Sequence, residues 1–369
     1  MNAMKRTSIF LPSYLKALLV MIFIIVLVFF LIVGKSLLVP LFMGGFFSIL
    51  FTPLSNFLEK HKIPRTLSSI LSLLVMGIFT AGLISFIIGN VVSFTKDFSD
   101  VSTRLMDIVG EFDAWLNSTF GIQENLQEKI DSKVIVQYLN KNSQSITAFA
   151  LNAIGSLTGL ILIPIFMFFL LLYRDHLTKM MVMIYRDKDP ALVKMRITSL
   201  RKLILNYLVG VGKVMVILAI LNITAYSIIG VKHAVFFGLI GAILNIIPYV
   251  GPLIGVTLPF IYSFLTMDSI LYPVLVLGSY QIIQMVEGNF LTPKIVGGNV
   301  NLNAFITFLG LLIGASIWGI AGMILVIPTL AILREIFDLS EHTKPFALLL
   351  GEEKEPENQT PDPEDENTE

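Results

Sequence analysis

Asn245-Ile246-Ile247-Pro248-Tyr249-Val250-Gly251-Pro252-Leu253-Ile254-Gly255 divides two apolar segments, Ala234 to Ile247 and Leu253 to Leu265, each of about 14 residues. A helix that crosses a bilayer needs about 20 apolar residues at a rise of about 1.5 Å each. Two shorter arms joined by a Pro/Gly turn therefore read as a hairpin that enters the bilayer and returns. The pattern recurs downstream. Leu302 to Gly314 and Trp318 to Arg334 are again two apolar arms, expected to meet at Gly314, Ala315 and Ser316. Gly251/Gly255 and Gly310/Gly314 repeat a small-xxx-small spacing that lets backbones approach closely, and Gly319 and Gly322 add small residues at the second turn. Broken helices at membrane depth persist only when buried in protein or lining a wet cavity, so paired interruptions point to a transport site. Two full spans with a short loop is the other reading of each pair, which leaves an eight-span fold open.

Composition agrees with a membrane location. Of 369 residues, 55% are hydrophobic and 14% charged, and the mean hydropathy is +0.82, far from a soluble domain with about a quarter of its residues charged. Lys and Arg balance Asp and Glu at 26 each, so bulk charge gives no reason to expect nucleic acid as a partner. The absence of cysteine excludes disulfides, thiolate metal sites and cysteine nucleophiles. The four histidines are scattered with no pair at i, i+4, so no metal site is expected. Neither a G-x-x-x-x-G-K-[ST] loop nor H-E-x-x-H occurs, and Gly314-Ala315-Ser316-Ile317-Trp318 breaks the G-x-S-x-G pattern at its last position. No cofactor and no catalytic residue are expected.

The expected fold is an all-α integral membrane protein with about six full spans, two re-entrant helical hairpins and amphipathic extramembrane helices. Residues 1–93 hold the first three spans, Ala17 to Val33, Ser36 to Phe57 and Thr66 to Val92. The first is read as retained, being longer than a signal-peptide core with no small-x-small cleavage site after it. Residues 94–145 are polar, with five basic against eight acidic residues, and belong outside the cell. Within them Phe98, Val101, Leu105, Ile108, Phe112 and Trp115 draw one apolar stripe along a helix, read as a surface for homo-oligomerisation. Residues 146–202 hold a fourth span followed by a segment from Arg174 to Lys202 with eight basic residues, the strongest cytoplasmic signal in the chain. Residues 203–338 form the candidate transport core, with spans at Leu203 to Ile229 and Ile270 to Val286 and the hairpins inserted from opposite faces. Residues 339–369 are an acidic tail expected to be disordered, and both termini are expected in the cytoplasm.

Polar side chains at membrane depth are site candidates. Lys213 lies about 16 Å along a helix from Lys202, and either snorkels to a polar surface or joins a solute pathway. Glu287 ends the sixth span and is either a helix-end residue or a pathway carboxylate. Asn222, Asn245, Gln281, Gln284 and Asn289 offer hydrogen bonds to a neutral solute, but amides also hold helices together. Pro248, Tyr249, Gly251, Pro252 and Gly288 complete the candidate pathway, with the turns expected to present unpaired backbone groups to the solute.

Gly210, Gly230-Val231, Asn245 to Pro252, Val286-Glu287-Gly288-Asn289, Pro293, Ile295, Gly297, Trp318 to Gly322 and Pro328 together resemble the autoinducer-2 exporter family of bacterial PerM-like permeases. The resemblance covers about residues 200–340, and Val211 stands where many relatives carry Gln. It implies a bacterial inner-membrane exporter or facilitator of a small polar solute such as a signalling furanone in quorum sensing. It also implies an alternative, sodium or lithium/proton antiport with Na+ or H+ as coupling ions. Ring-shaped homo-oligomers, pentamers among them, are implied as well. A membrane scaffold that recruits partners through its outer helices is a reading of a different class.

Overall fold

In a computed structural model of the chain, the structure describes residues 12–97, 158–184, 189–297, 302–338 and 343–352, with 341 and part of 110–120. The outer helices assigned above to subunit contact, with Phe98, Val101, Leu105, Ile108, Phe112 and Trp115, lie outside the described residues, as do 353–369. Nearly all described residues are helical, and their β structure is one isolated bridge between Leu302 and Gly351.

The chain opens with α1 (Ser13–Val33), α2 (Lys35–Lys60) and α3 (Arg65–Asp97). None of α1 is buried, which suits a helix that is apolar on every face and surrounded by hydrocarbon. After α4 (Thr158–Leu172) the axis turns by 68° into α5 (Arg174–Ile184). The core follows as α6 (Pro190–Ile229), α7 (Ala234–Leu244), α8 (Val250–Thr266) and α9 (Leu271–Val286). A π turn (Glu287–Leu291), α10 (Thr292–Ile295), α11 (Ala304–Phe337) and α12 (Lys344–Leu350) complete it. By length and apolar character α1, α2, α3, α6 and α11 can each cross a membrane, and bent α4–α5 makes a sixth. The protein is an all-helical, multi-pass membrane protein.

Length misdescribes α11, because the helix breaks at Gly319, where φ 61° and ψ −138° suit glycine alone. The arms on either side double back. A Cβ on Gly322 would fall 1.9 Å from the carbonyl oxygen of Gly314, and one on Gly310 would fall 2.9 Å from the Leu330 side chain. The turn expected at Gly314, Ala315 and Ser316 therefore lies at Gly319. Those three residues stay helical, and Gly314 gives the returning arm room.

α7 and α8 double back in the same way through the Asn245 to Tyr249 turn. A Cβ on Gly251 would sit 1.8 Å from the Leu244 carbonyl oxygen, and one on Gly255 would sit 3.2 Å from the Cα of Gly241. Tyr249 takes a positive φ of 64°, rare for a bulky residue, directly after Pro248 and two residues before Gly251.

The fifth span is longer than the sequence reading made it. Asp189 caps α6 by accepting from the Ala191 amide at 2.9 Å, and Pro190 supplies the first-turn φ, so the basic segment joins the span in one 40-residue helix. Gly230 ends it in the left-handed region, with its amide on the Tyr226 and Ser227 carbonyls. The buried core lies where α6, α7, α8 and α9 meet, around Tyr226, Phe237, Tyr262, Val276 and Tyr280.

A separate polar network ties α2, α3 and the α4–α5 elbow. Buried Arg174 donates to both carboxylate oxygens of Glu59 at 2.8 and 2.9 Å and to Ser55 Oγ at 3.1 Å. Ser55 Oγ meets Ser68 Oγ at 2.9 Å, and Arg65 donates to Asp175 at 2.6 Å. Such a network lets charged groups sit at the ends of apolar helices without orphaned donors.

Two glycine substitutions test the account of the first turn. Gly251→Ala forces the Leu244 carbonyl aside and should lower the melting temperature in detergent by many degrees or prevent folding. Gly278→Ala, in α9 with nothing within 4 Å of the new methyl, should be neutral or stabilising by about 0.5–1 kcal/mol.

Candidate functional site

The turn between α7 and α8 is brought against α9 by side-chain amides. Gln284 Nε2 donates to Tyr280 Oη at 2.8 Å and lies 3.3 Å from Asn245 Oδ1, so one amide joins the tip of the first double-back to two successive turns of α9. In the same buried cluster as Tyr280, α6 presents Tyr226, with Asn222 one turn before it on the same helix; the two are 0% and 1% exposed. Among the described residues, Asn222 Oδ1 and Tyr226 Oη are buried and find no hydrogen-bond partner. A buried amide or hydroxyl oxygen without a partner costs about 1–3 kcal/mol, so two on one helix face need a reason.

The π turn follows directly. Its wider i to i+5 spacing leaves the helix locally irregular, a feature often found at functional sites. Glu287 opens it, half-buried, and accepts a hydrogen bond from the Thr292 hydroxyl across the turn. Asn289 Nδ2 donates to the Met285 carbonyl at 2.9 Å, and with Gly288 it lies on the exposed side. Gln281 is exposed, one turn before Met285.

Of the residues chosen from sequence, the structure brings together Asn245 and Gln284, with Glu287 one turn beyond, and buries Asn222 on α6 one turn before Tyr226, which packs with Tyr280. Pro248 and Pro252 are half-buried beside them and Gly251 is buried, whereas Tyr249 is 68% exposed and packs edge-on against Phe308 of α11 with ring centroids 5.7 Å apart. Lys213 stands apart. It lies on the outward stripe of α6 with Val209, Val216 and Ile220, on the side away from Val214 and Leu218 in the core.

The turn pairs part of its backbone. The amides of Asn245, Ile246, Ile247, Val250 and Gly251 all bond carbonyls between Gly241 and Pro248. The Tyr249 amide and the carbonyls of Asn245 and Ile246 take no part in these bonds. Sequence reasoning missed Tyr226, Tyr280 and Thr292, because tyrosines in an apolar helix read as core. The signal was the i, i+4 pairing of each tyrosine with an amide, Asn222 with Tyr226 and Tyr280 with Gln284.

A cleft of about 870 Å³ lies between α2–α3 and α6–α7, with Phe46, Phe79, Tyr207, Val211, Met215 and Ile243 in its wall. None of the polar candidates lines it, so it suits hydrocarbon rather than a polar solute. Among the described residues no group of three or more His, Cys, Asp or Glu is placed to hold a metal ion. The chemistry on hand is neutral hydrogen bonding plus one carboxylate.

The model of the AI-2E family transporter matches residues 18–341. YueF of Bacillus subtilis (strain 168), named for transport, is 29% identical over 329 residues, 84% of this chain and 85% of its own. YrrI of the same organism, also named for transport, is 26% identical and covers 83% and 87%. The AI-2 transport protein TqsA of Escherichia coli (strain K12) is 22% identical over 86% of this chain and 90% of its own.

Tyr226→Phe removes a buried hydroxyl that has no partner. It should leave the melting temperature in detergent unchanged or raise it, whereas Gln284→Leu, which strips Tyr280 and Asn245 of their shared donor, should lower stability by about 1–3 kcal/mol.

Proposed function

Because the chain belongs to the AI-2E family of transporters, we propose that it moves a small, polar, uncharged solute across the membrane down the solute's own gradient. The solute class is an autoinducer-2-like furanone or a related hydroxylated metabolite, in line with the name of TqsA. The membrane is the bacterial inner membrane, with both termini in the cytoplasm. The two doubled-back segments act as re-entrant hairpins from opposite faces, a reading supported by the positions of their tips. One tip is joined to Gln284 and Phe308, and the other to α1, where Trp318 Nε1 donates to the Leu31 carbonyl at 2.9 Å. Assembly into a homo-oligomer through residues 98–115 belongs to the same reading.

The single observation that carries the proposal is the pair of unpartnered oxygens, Asn222 Oδ1 and Tyr226 Oη, one turn apart on α6, with Tyr226 packed in the same cluster as the Tyr280 that Gln284 bonds. They are positions where a solute hydroxyl regains in the site the hydrogen bonds it leaves in water. No charge is needed for that exchange. A second reading, cation/proton antiport, is favoured by Glu287 alone, held by Thr292 on the π turn.

Reconstituted vesicles distinguish the two. Release of a labelled furanone should exceed that from empty vesicles and fall about tenfold or more in Gln284→Leu, from loss of about 1–3 kcal/mol of hydrogen bonding. Gln281→Leu, on the exposed side of the same helix, should transport normally. Glu287→Gln should leave furanone release intact. If wild-type vesicles release no furanone but exchange Na+ for H+, and Glu287→Gln abolishes the exchange, antiport replaces the first reading.

A further inference from the structure

Where α2 passes between the α4–α5 elbow and α6, a cleft of about 280 Å³ opens on the side of α2 away from the large apolar cleft. Its apolar wall includes Ile49, Leu170, Leu177, Ile197, Leu200 and Ile204. Its polar edge is Ser48, Thr52, Thr178, Arg174 and Arg201. The cleft sits where the basic stretch of α6 gives way to the apolar run from Leu203, which is the level of lipid head groups.

The charges around it do not balance. Arg65, Arg174 and Arg201 stand against Glu59 and Asp175, three guanidinium groups against two carboxylates. Arg174 is committed to Glu59 and Ser55, and Arg65 to Asp175 with Glu59 at 3.6 Å. Among the described residues no hydrogen bond or ion pair reaches Arg201, and the carboxylate it interacts with electrostatically, Asp175, is already bound to Arg65. The hydroxyls of Ser48, Thr52 and Thr178 donate to carbonyls of their own helices at 2.8, 2.7 and 2.9 Å, so they supply no competing donors. One half-buried guanidinium is left over, at the edge of an apolar groove and at the membrane surface.

We propose that this cleft seats the head group of an anionic phospholipid, with its phosphate on the Arg201 guanidinium and the start of an acyl chain along Ile197, Leu200 and Ile204. A guanidinium matches a phosphate through two parallel N–H bonds, and basic pockets between membrane helices on the cytoplasmic side are suited to such head groups. The volume takes a head group and not a whole lipid. The site is separate from the amide cluster and does not depend on which solute is carried.

The test uses the purified full-length chain in a mild detergent, titrated with phosphatidylglycerol, phosphatidylcholine of the same acyl chains, or inorganic phosphate. Melting temperature and native mass spectrometry are the readouts. Phosphatidylglycerol should raise the melting temperature and remain bound at one per chain. Arg201→Gln should need about tenfold more of it for the same shift, as expected for loss of a charge-assisted contact. Lys202→Gln, an equal loss of charge on the exposed face of the same helix, should behave as wild type. Ile197→Trp, which fills the groove without altering charge, should weaken retention as well. Equal shifts with phosphatidylcholine, equal losses in Arg201→Gln and Lys202→Gln, or a full shift from inorganic phosphate alone would each overturn the proposal.

Discussion

A helix broken inside hydrocarbon leaves amides and carbonyls that water cannot reach, and each such group costs several kcal/mol unless the protein itself satisfies it. This chain breaks its helices at the Asn245 to Tyr249 turn, at Glu287 and at Gly319. Each break is sheltered in a different way. The first closes on itself through short amide bonds and on α9 through Gln284. The second widens into a π turn whose Glu287 is bonded by Thr292. The third is held to α1 and α2 by Trp318, which donates to the Leu31 carbonyl and packs on Phe42 with ring centroids 5.5 Å apart.

Glycine makes that sheltering possible. α7 lies so close to α6 that a Cβ on Gly238 would fall 2.7 Å from the Ile223 amide nitrogen, and the contacts of Gly251 and Gly322 are closer still. Backbones at such distances interlock, and dispersion between them replaces the hydrophobic drive that lipid cannot provide. The N-terminal helices meet the core differently, across an apolar cleft and through Phe86, whose ring lies 6.3 Å from that of Phe236. Among themselves α2 and α3 are tied at one end to the α4–α5 elbow, through Arg174, Glu59 and the Ser55–Ser68 pair.

The parts legible in the sequence were those whose chemistry is local. Pro248 and Gly251 mark a turn by backbone preference alone, whereas the Asp189-Pro190 start of α6 went unread and the span was begun at Leu203. The second turn was misplaced by a few residues, since Gly314, Ala315 and Ser316 are as small as Gly319 and only φ tells a packing glycine from a turning one. Asn222, Asn245 and Gln284 were visible because amides are conspicuous among apolar residues. The bond between Asn245 and Gln284 was not visible, because it depends on how the first turn packs against α9, which no spacing along either segment records. Tyr226 and Tyr280 were hidden by their own amphipathic character: a ring that belongs in the core carries the hydroxyl that belongs to the site. The π turn had no signature, as Glu287-Gly288-Asn289 reads equally well as a helix end.

The closed state of the amide cluster limits how it can work. Asn222 and Tyr226 have no access to water in this conformation, so a solute reaches them only if helices separate. Separating α7 from α6 or α8 means withdrawing interlocked backbones past one another at Gly238, Gly251 and Gly255, each with a neighbouring backbone atom about 3 Å or less from where a Cβ would stand or, at Gly255, slightly beyond. Displacing α6 through α9 together against α2 and α3 breaks apolar contacts, Phe86 with Phe236 among them, yet leaves Tyr226 buried among the core's own helices. Access to the proposed site therefore requires opening within the core, at the cost of those close contacts. The Gln284–Asn245 bond joins α9 to the first turn, so a separation of α6 from both leaves it intact.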